Sequence, residues 1–125
     1  MSSTGYHEPL ELLSEKTRNL HRAIVSLMEE LEAVDWYQQR AEACSDEQLK
    51  AVLEHNRDEE IEHACMVIEW LRRNVPKFDE ELRTYVFTEV SITDAEVSAT
   101  ASAGRETAET ECSLGIGGLK GSSEL

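Results

Sequence analysis

Residues 49–70 read LKAVLEHNRDEEIEHACMVIEW. Along one face they place Leu49, Leu53, Asn56, Glu60, His63, Val67 and Trp70, in steps of four, three, four, three, four and three. That spacing follows the 3.6-residue turn and has no period of two, so the segment is predicted to be a helix. Its stripe is apolar at both ends and polar at three central positions. An unpaired carboxylate in an apolar seam is strongly unfavourable, so Glu60 must be protonated, ion-paired or bound to a cation. Glu60 and His63 stand at i and i+3, which sets a carboxylate and an imidazole side by side on one face.

The flanks of this stretch set the limits of the helix. Ser45-Asp-Glu-Gln48 has the form of a capping box, so residues 40–45 form a turn and the helix runs from Asp46 to about Asn74. Pro76 cannot continue it and disfavours helical geometry at Val75. On the other side of the turn, a helix can begin at Pro9 and carry Leu10, Leu13, Thr17, Leu20, Ile24, Leu27, Leu31 and Val34 on one stripe. Some thirty residues at 1.5 Å each make it roughly 45 Å long. Glu30 lies on the flank of this stripe, three residues after Leu27, and Tyr37 lies two turns further along. A shorter amphipathic segment carries Phe78, Leu82, Tyr85, Val86 and Phe87. The expected fold of residues 1–90 is all-α: a two-helix antiparallel hairpin with a short third helix.

Two long helices cannot bury both faces of their stripes alone. Four-helix di-metal carboxylate bundles draw a Glu from each of two helices and a Glu-x-x-His from each of the other two. One chain here supplies one Glu, Glu30, and one Glu-x-x-His, Glu60 with His63. A symmetric dimer answers both deficits by making four helices and pooling two sets of ligands around two metal ions. Carboxylate and imidazole donors without sulfur suit iron or manganese, with zinc also possible. With iron, two adjacent Fe(II) ions could each give an electron to O₂, which is Fe(II) oxidation. A second reading stays open, in which the same three residues form a buried polar network that fixes oligomer register. Under it the protein is a non-catalytic helical metal-binding or adaptor protein.

The whole chain has 125 residues, with 12 Lys and Arg against 26 Asp and Glu, a net charge of −14. Such a chain lacks the clustered cations that nucleic-acid binding requires, and multivalent cations are its more natural partner. It has no run of about 20 apolar residues and a polar start without signal-peptide character, so neither membrane insertion nor secretion is expected. The expected location is cytoplasmic. Cys44, Cys65 and Cys112 are irregularly spaced and are read as free thiols. Residues 91–113 are rich in Ser, Thr, Ala and Glu, too poor in apolar surface to offset ordering, and are read as a disordered linker. Beyond them, residues 114–121, Leu-Gly-Ile-Gly-Gly-Leu-Lys-Gly, have the pattern of a docking peptide or of a plain terminus.

Taken together, His7-Glu-Pro-Leu10, His21 to Tyr37, His55 to His63, Glu69 to Arg73 and the tail Leu114 to Gly121 resemble the encapsulated ferritin family, the ferritin-like cargo of encapsulin nanocompartments. The long block His21 to Tyr37 is the most specific part. The resemblance implies a ferroxidase that oxidises Fe(II) to Fe(III) with O₂ for iron storage inside the shell. It further implies that Glu30, Glu60 and His63 form half of a di-iron centre completed across a subunit interface, with Tyr37 lining it. Glu29, Glu32 and Trp36 would surround the metal access path, where calcium or another divalent cation could also sit. The implied assembly is a ring of five dimers, a decamer. Leu114, Ile116 and Leu119 would anchor the tail to the encapsulin shell, and the tail departs from the family pattern at Gly118, where Ser is common.

Overall fold

A computed structural model describes residues 5–100. Among them all regular structure is helical, as expected, and comprises α1 (Glu15–Ala43), α2 (Glu47–Asn74) and α3 (Pro76–Tyr85), with a further helical stretch over residues 92–100. These residues fall into two compact units that divide after Asp79.

The first long helix starts later than Pro9 suggests. Pro9 opens a single 3₁₀ turn at Leu10–Leu12, after which Leu13 is extended. Ser14 then acts as the N-cap, its hydroxyl accepting from the Thr17 N–H at 3.2 Å. A capping oxygen satisfies one of the orphan donors of a helix's first turn, so the start belongs to Ser14 rather than to proline. From Glu15 the helix runs 29 residues, about 44 Å. Tyr6 stacks on His21 with ring centroids 4.1 Å apart, which lays the N-terminal segment along α1.

The cap of α2 is also shifted by one residue from the Ser45 capping box. Asp46 is the N-cap, and its carboxylate accepts from the Leu49 N–H at 2.8 Å. Its charge also complements the positive end of the helix macrodipole. At the far end the Val75 N–H donates to the Leu71 carbonyl at 2.8 Å, and Pro76 opens α3 at its first position. Arg72 ties this corner together: it donates twice to Glu69, at 2.7 and 2.8 Å, and once to Asp79 of α3 at 2.7 Å.

α1 and α2 pack along each other antiparallel, and their seam is narrower than the large apolar residues suggest. On α1 one stripe of half-buried or buried positions runs through Leu20, Ala23, Leu27, Glu30, Val34, Tyr37 and Ala41, again in steps of three and four. On α2 the least exposed stripe is Leu53, Arg57, Glu60, Ala64, Val67 and Leu71. Ala41, Ala64 and Leu71 are the fully buried members. Ile24 and Leu31, both expected in the buried stripe, remain 38% and 52% exposed. Ala23, Ala41 and Ala64 let the helices approach, while Ile24 and Leu31 stay largely outside the seam.

Beyond Asp79 two expectations are corrected. α3 ends at Tyr85, so Val86 and Phe87 form a turn rather than a continued amphipathic helix. Residues 92–100 are helical, where the composition suggests a linker. Ser91 starts this stretch, its hydroxyl accepting from the Asp94 N–H at 3.2 Å, and Ala95 is buried. The rest of the 91–113 segment, Cys112 and the tail with Leu114, Ile116 and Leu119 lie outside the described residues.

Candidate metal centre

Glu30 occupies the middle of the α1 seam, not its flank, and faces Glu60 and His63 of α2. One ligand atom from each of the three lies within 4.8 Å of the other two. The His63 Nδ1 is 3.6 Å from Oε2 of Glu30 and 3.5 Å from Oε2 of Glu60. These separations are too long for strong hydrogen bonds and suit donors that surround a shared cation. Among the described residues this is the only group of three metal-ligating side chains that converges. Each carboxylate side chain is 25% exposed and the imidazole 44%, so the cluster is open on one side of the hairpin.

The electrostatics show the strain of holding two carboxylates together. A hydrogen bond shared with Glu60, loss of solvent and the Glu60 charge raise the Glu30 carboxyl above its ordinary value, and His63 opposes this only in part. At His63 desolvation favours the neutral ring, but Glu60, Glu30 and Glu59 outweigh it and raise the imidazole above its ordinary value. Without metal, protons supply the positive charge that this cluster demands. A divalent cation would supply more, and its binding would displace those protons.

Around the cluster, the residues named for an access path are distributed along α1. Glu29 and Glu32 are exposed, and Trp36 is half exposed. Tyr37 shares the seam stripe with Glu30, two turns away, and is half-buried. Two influences escape a reading of spacing alone. Arg40 sets its guanidinium 5.4 Å from the Tyr37 ring centroid and 5.9 Å from that of Trp36. Its i+3 and i+4 spacing from Tyr37 and Trp36 could have suggested this. Glu59, which reads as part of a solvated face, pairs with His55 at 3.3 Å and adds to the field on His63.

Residues 5–89 match the profile of a family described as EncFtn-like. The chain belongs to the EncFtn-like family. It is 58% identical over 131 residues to an "Encapsulated ferritin-like protein" of Rhodospirillum rubrum, an alignment covering 99% of this chain and 94% of that one. It is also 57% identical over 91 residues to a "Ferritin-like protein" of Thermotoga maritima, covering 73% and 80%. The crystal structure of protein ne0167 from Nitrosomonas europaea, 61% identical, superposes with a TM-score of 0.68 over 70% of this chain and 97% of that one. Membership in the EncFtn-like family gives the chain a ferritin-like, iron-related role, and the matched region contains the whole Glu30, Glu60 and His63 cluster.

Proposed function

We propose that the protein is a ferroxidase whose catalytic residues are Glu30, Glu60 and His63, completed as a di-iron centre when two copies meet. The observation that carries this reading is the convergence of two carboxylates and one imidazole from α1 and α2. The donor set fits iron, being oxygen and nitrogen without sulfur. Three protein ligands fall short of the coordination iron prefers, and the open side of the cluster is where a second set would enter. Iron supplies the one-electron chemistry, Fe(II) to Fe(III), with O₂ as electron acceptor.

The chain's own residues prepare this chemistry. Glu30 and Glu60 concentrate negative charge in a partly desolvated seam, which favours the more highly charged ferric product electrostatically. His63 would release its proton to solvent and bind metal as a neutral donor, so pH tunes access to the site. Tyr37 lines the same seam, and Glu29, Glu32 and Trp36 form the approach to it, drawing cations from solvent through an acidic surface. The tail, residues 114–121, docks the protein in an encapsulin shell through Leu114, Ile116 and Leu119, which places iron oxidation beside a storage compartment. The support for this last part is the tail's aliphatic pattern together with the name of the Rhodospirillum rubrum relative.

The test is Fe(II) oxidation under air by Glu60→Ala and His63→Ala proteins that retain their helicity. Both variants should lose most of the activity. A variant that oxidises iron as fast as the parent would show that the centre is elsewhere. One observation favours a second reading: His63 already lies at ion-pair distance from both carboxylates, so the cluster could act as a polar lock that sets oligomeric state. Metal-driven assembly without oxygen consumption would favour that reading.

A further inference from the structure

Arg57 stands three residues before Glu60, on the same half-buried stripe of α2. At i and i+3 an arginine and a glutamate are neighbours on a helix surface and attract each other. Here they are kept apart: among the described residues no ion pair joins Arg57 to Glu60, whose carboxylate converges instead on Glu30 and His63. The guanidinium is taken up elsewhere. Its Nη1 donates to Oε1 of Gln38 on α1 at 2.7 Å, and its Nε and Nη2 both donate to Oδ1 of Asp58, at 3.0 and 2.9 Å.

Two features set this arrangement apart from an ordinary surface contact. The Arg57 side chain is only 24% exposed, so its stem lies along the seam and its charged head must find acceptors close by. Outside the Glu30, Glu60 and His63 cluster, its bond to Gln38 is also the one hydrogen bond between an α1 and an α2 side chain among the described residues. The planar fork of a guanidinium serves two acceptors at once and is thereby fixed in direction. Neither acceptor belongs to the metal cluster. Without them, the acids within reach of Arg57 on its own helix are Glu54 and Glu60, three residues to either side. An arginine resting on Glu60 would compete with a metal ion for that carboxylate, because the ion would have to displace it or bind beside a second positive charge.

We propose that Gln38 and Asp58 are positioning residues of the metal centre: they hold the Arg57 guanidinium off Glu60 and leave that carboxylate free to take a cation. Arg57 is then a competitor held aside, and the affinity of the site depends on two side chains that touch no metal. The inference rests on the reading of Glu30, Glu60 and His63 as metal ligands and adds what keeps one of those ligands available. The size of the effect follows from the pair that release would create. An arginine and a carboxylate one turn apart on a partly exposed helix face attract weakly, which reduces the affinity of a competing ion by about threefold to fivefold.

The test is calorimetric titration of the full-length chain with Co(II) at fixed pH and salt. Gln38→Ala combined with Asp58→Ala should weaken Co(II) binding about threefold to fivefold. Adding Arg57→Gln to that pair should bring affinity to within about twofold of the Arg57→Gln protein alone, because no guanidinium is left to compete. A loss that persists without Arg57 would mean that Gln38 and Asp58 act through packing or through their own charge, and would overturn the proposal. Gln38→Glu keeps an acceptor in place and should bind Co(II) at least as tightly as the parent; weaker binding would also overturn it. Crystals of the metal-free Gln38→Ala, Asp58→Ala protein should show Arg57 within about 4 Å of Glu60, and a guanidinium turned to Glu54 instead would contradict the proposal. Parent and Glu60→Gln proteins titrated alongside separate the two claims. A parent that binds no Co(II), or binds it equally well without the Glu60 carboxylate, refutes the metal centre itself. Binding that depends on Glu60 but is unchanged when Gln38 and Asp58 are lost refutes only the role assigned to them.

Discussion

Replacing Glu60 by Gln keeps the size of the side chain and removes one of the two carboxylates that face each other across the α1–α2 seam. Two effects of opposite sign follow. In the metal-free protein the Glu30 carboxyl is raised chiefly by its hydrogen bond to Glu60 and by the neighbouring charge. An amide in that place ends the repulsion, so the metal-free variant should be more stable than the parent by about 0.5 kcal/mol, the scale of a like-charge pair. For a domain of this size that is roughly 2–4 °C in Tm. The metal-bound protein behaves in the reverse way. At a metal concentration 100 times Kd, binding stabilises the parent by about 2.7 kcal/mol. Loss of one of three ligands should weaken binding at least as much as loss of an outer-shell partner, about a hundredfold, which leaves about 0.4 kcal/mol at the same concentration. The Tm rise on adding metal should thus fall from roughly 11–22 °C to about 2–3 °C. The assay is scanning calorimetry of the full chain at pH 8.5 and fixed protein concentration, with a chelator and then with Co(II). A variant that keeps the parent's metal-dependent rise, or that melts below the parent without metal, would refute the reasoning.

Three further outcomes are expected. Asp46→Ala should destabilise the hairpin by about 1 kcal/mol through loss of the α2 cap, while Ser45→Ala should change it by less than about 0.5 kcal/mol; equal effects in chemical denaturation would contradict the cap assignment. Arg72 and Arg73 hold the Glu69 carboxyl down at about 2 against an ordinary 4.5. Its contribution to stability is therefore complete above pH 4.5 and lost as pH falls toward 2, and Glu69→Gln should flatten the acid limb of the melting curve across that window. At the metal centre both Glu30 and His63 bind protons more tightly in the folded state than in the unfolded state. Their contribution to the metal-free fold is present at low pH and is lost as pH rises through their folded values. Metal must displace those protons, so calorimetric titration with Co(II) should show proton release and an affinity that falls on acidification; pH-independent binding would exclude these ligands.

Much of the centre is legible in spacing alone. Glu60 and His63 are one helical turn apart within an otherwise apolar stripe, and no tertiary information is needed to see that they share a face. Glu30 is harder to place. Counting large apolar residues on α1 selects Ile24 and Leu31 and leaves Glu30 at the margin, yet the hairpin packs through Ala23, Ala41 and Ala64 and puts Glu30 at the centre. Alanine contributes little to a hydrophobic count, but it permits close approach, and that preference is tertiary. The helix starts were misplaced for a local reason: Ser14 and Asp46 satisfy backbone donors in competition with Pro9 and Ser45, and only geometry decides which oxygen reaches. The helix over residues 92–100 was hidden by composition, since Ser, Thr and Ala dominate it and its buried residue, Ala95, is small. The exposed turn at Phe87 gives no local signal, because positive φ at a phenylalanine runs against its intrinsic preference.

The central claim is that one chain holds half of an iron site. Anomalous diffraction at the iron absorption edge, on crystals of the full-length protein grown anaerobically with Fe(II), tests it most directly. Paired iron peaks within bonding distance of Glu30, Glu60 and His63 from each of two copies are the expected result. Iron bound within a single copy, or at side chains other than these three, would contradict it.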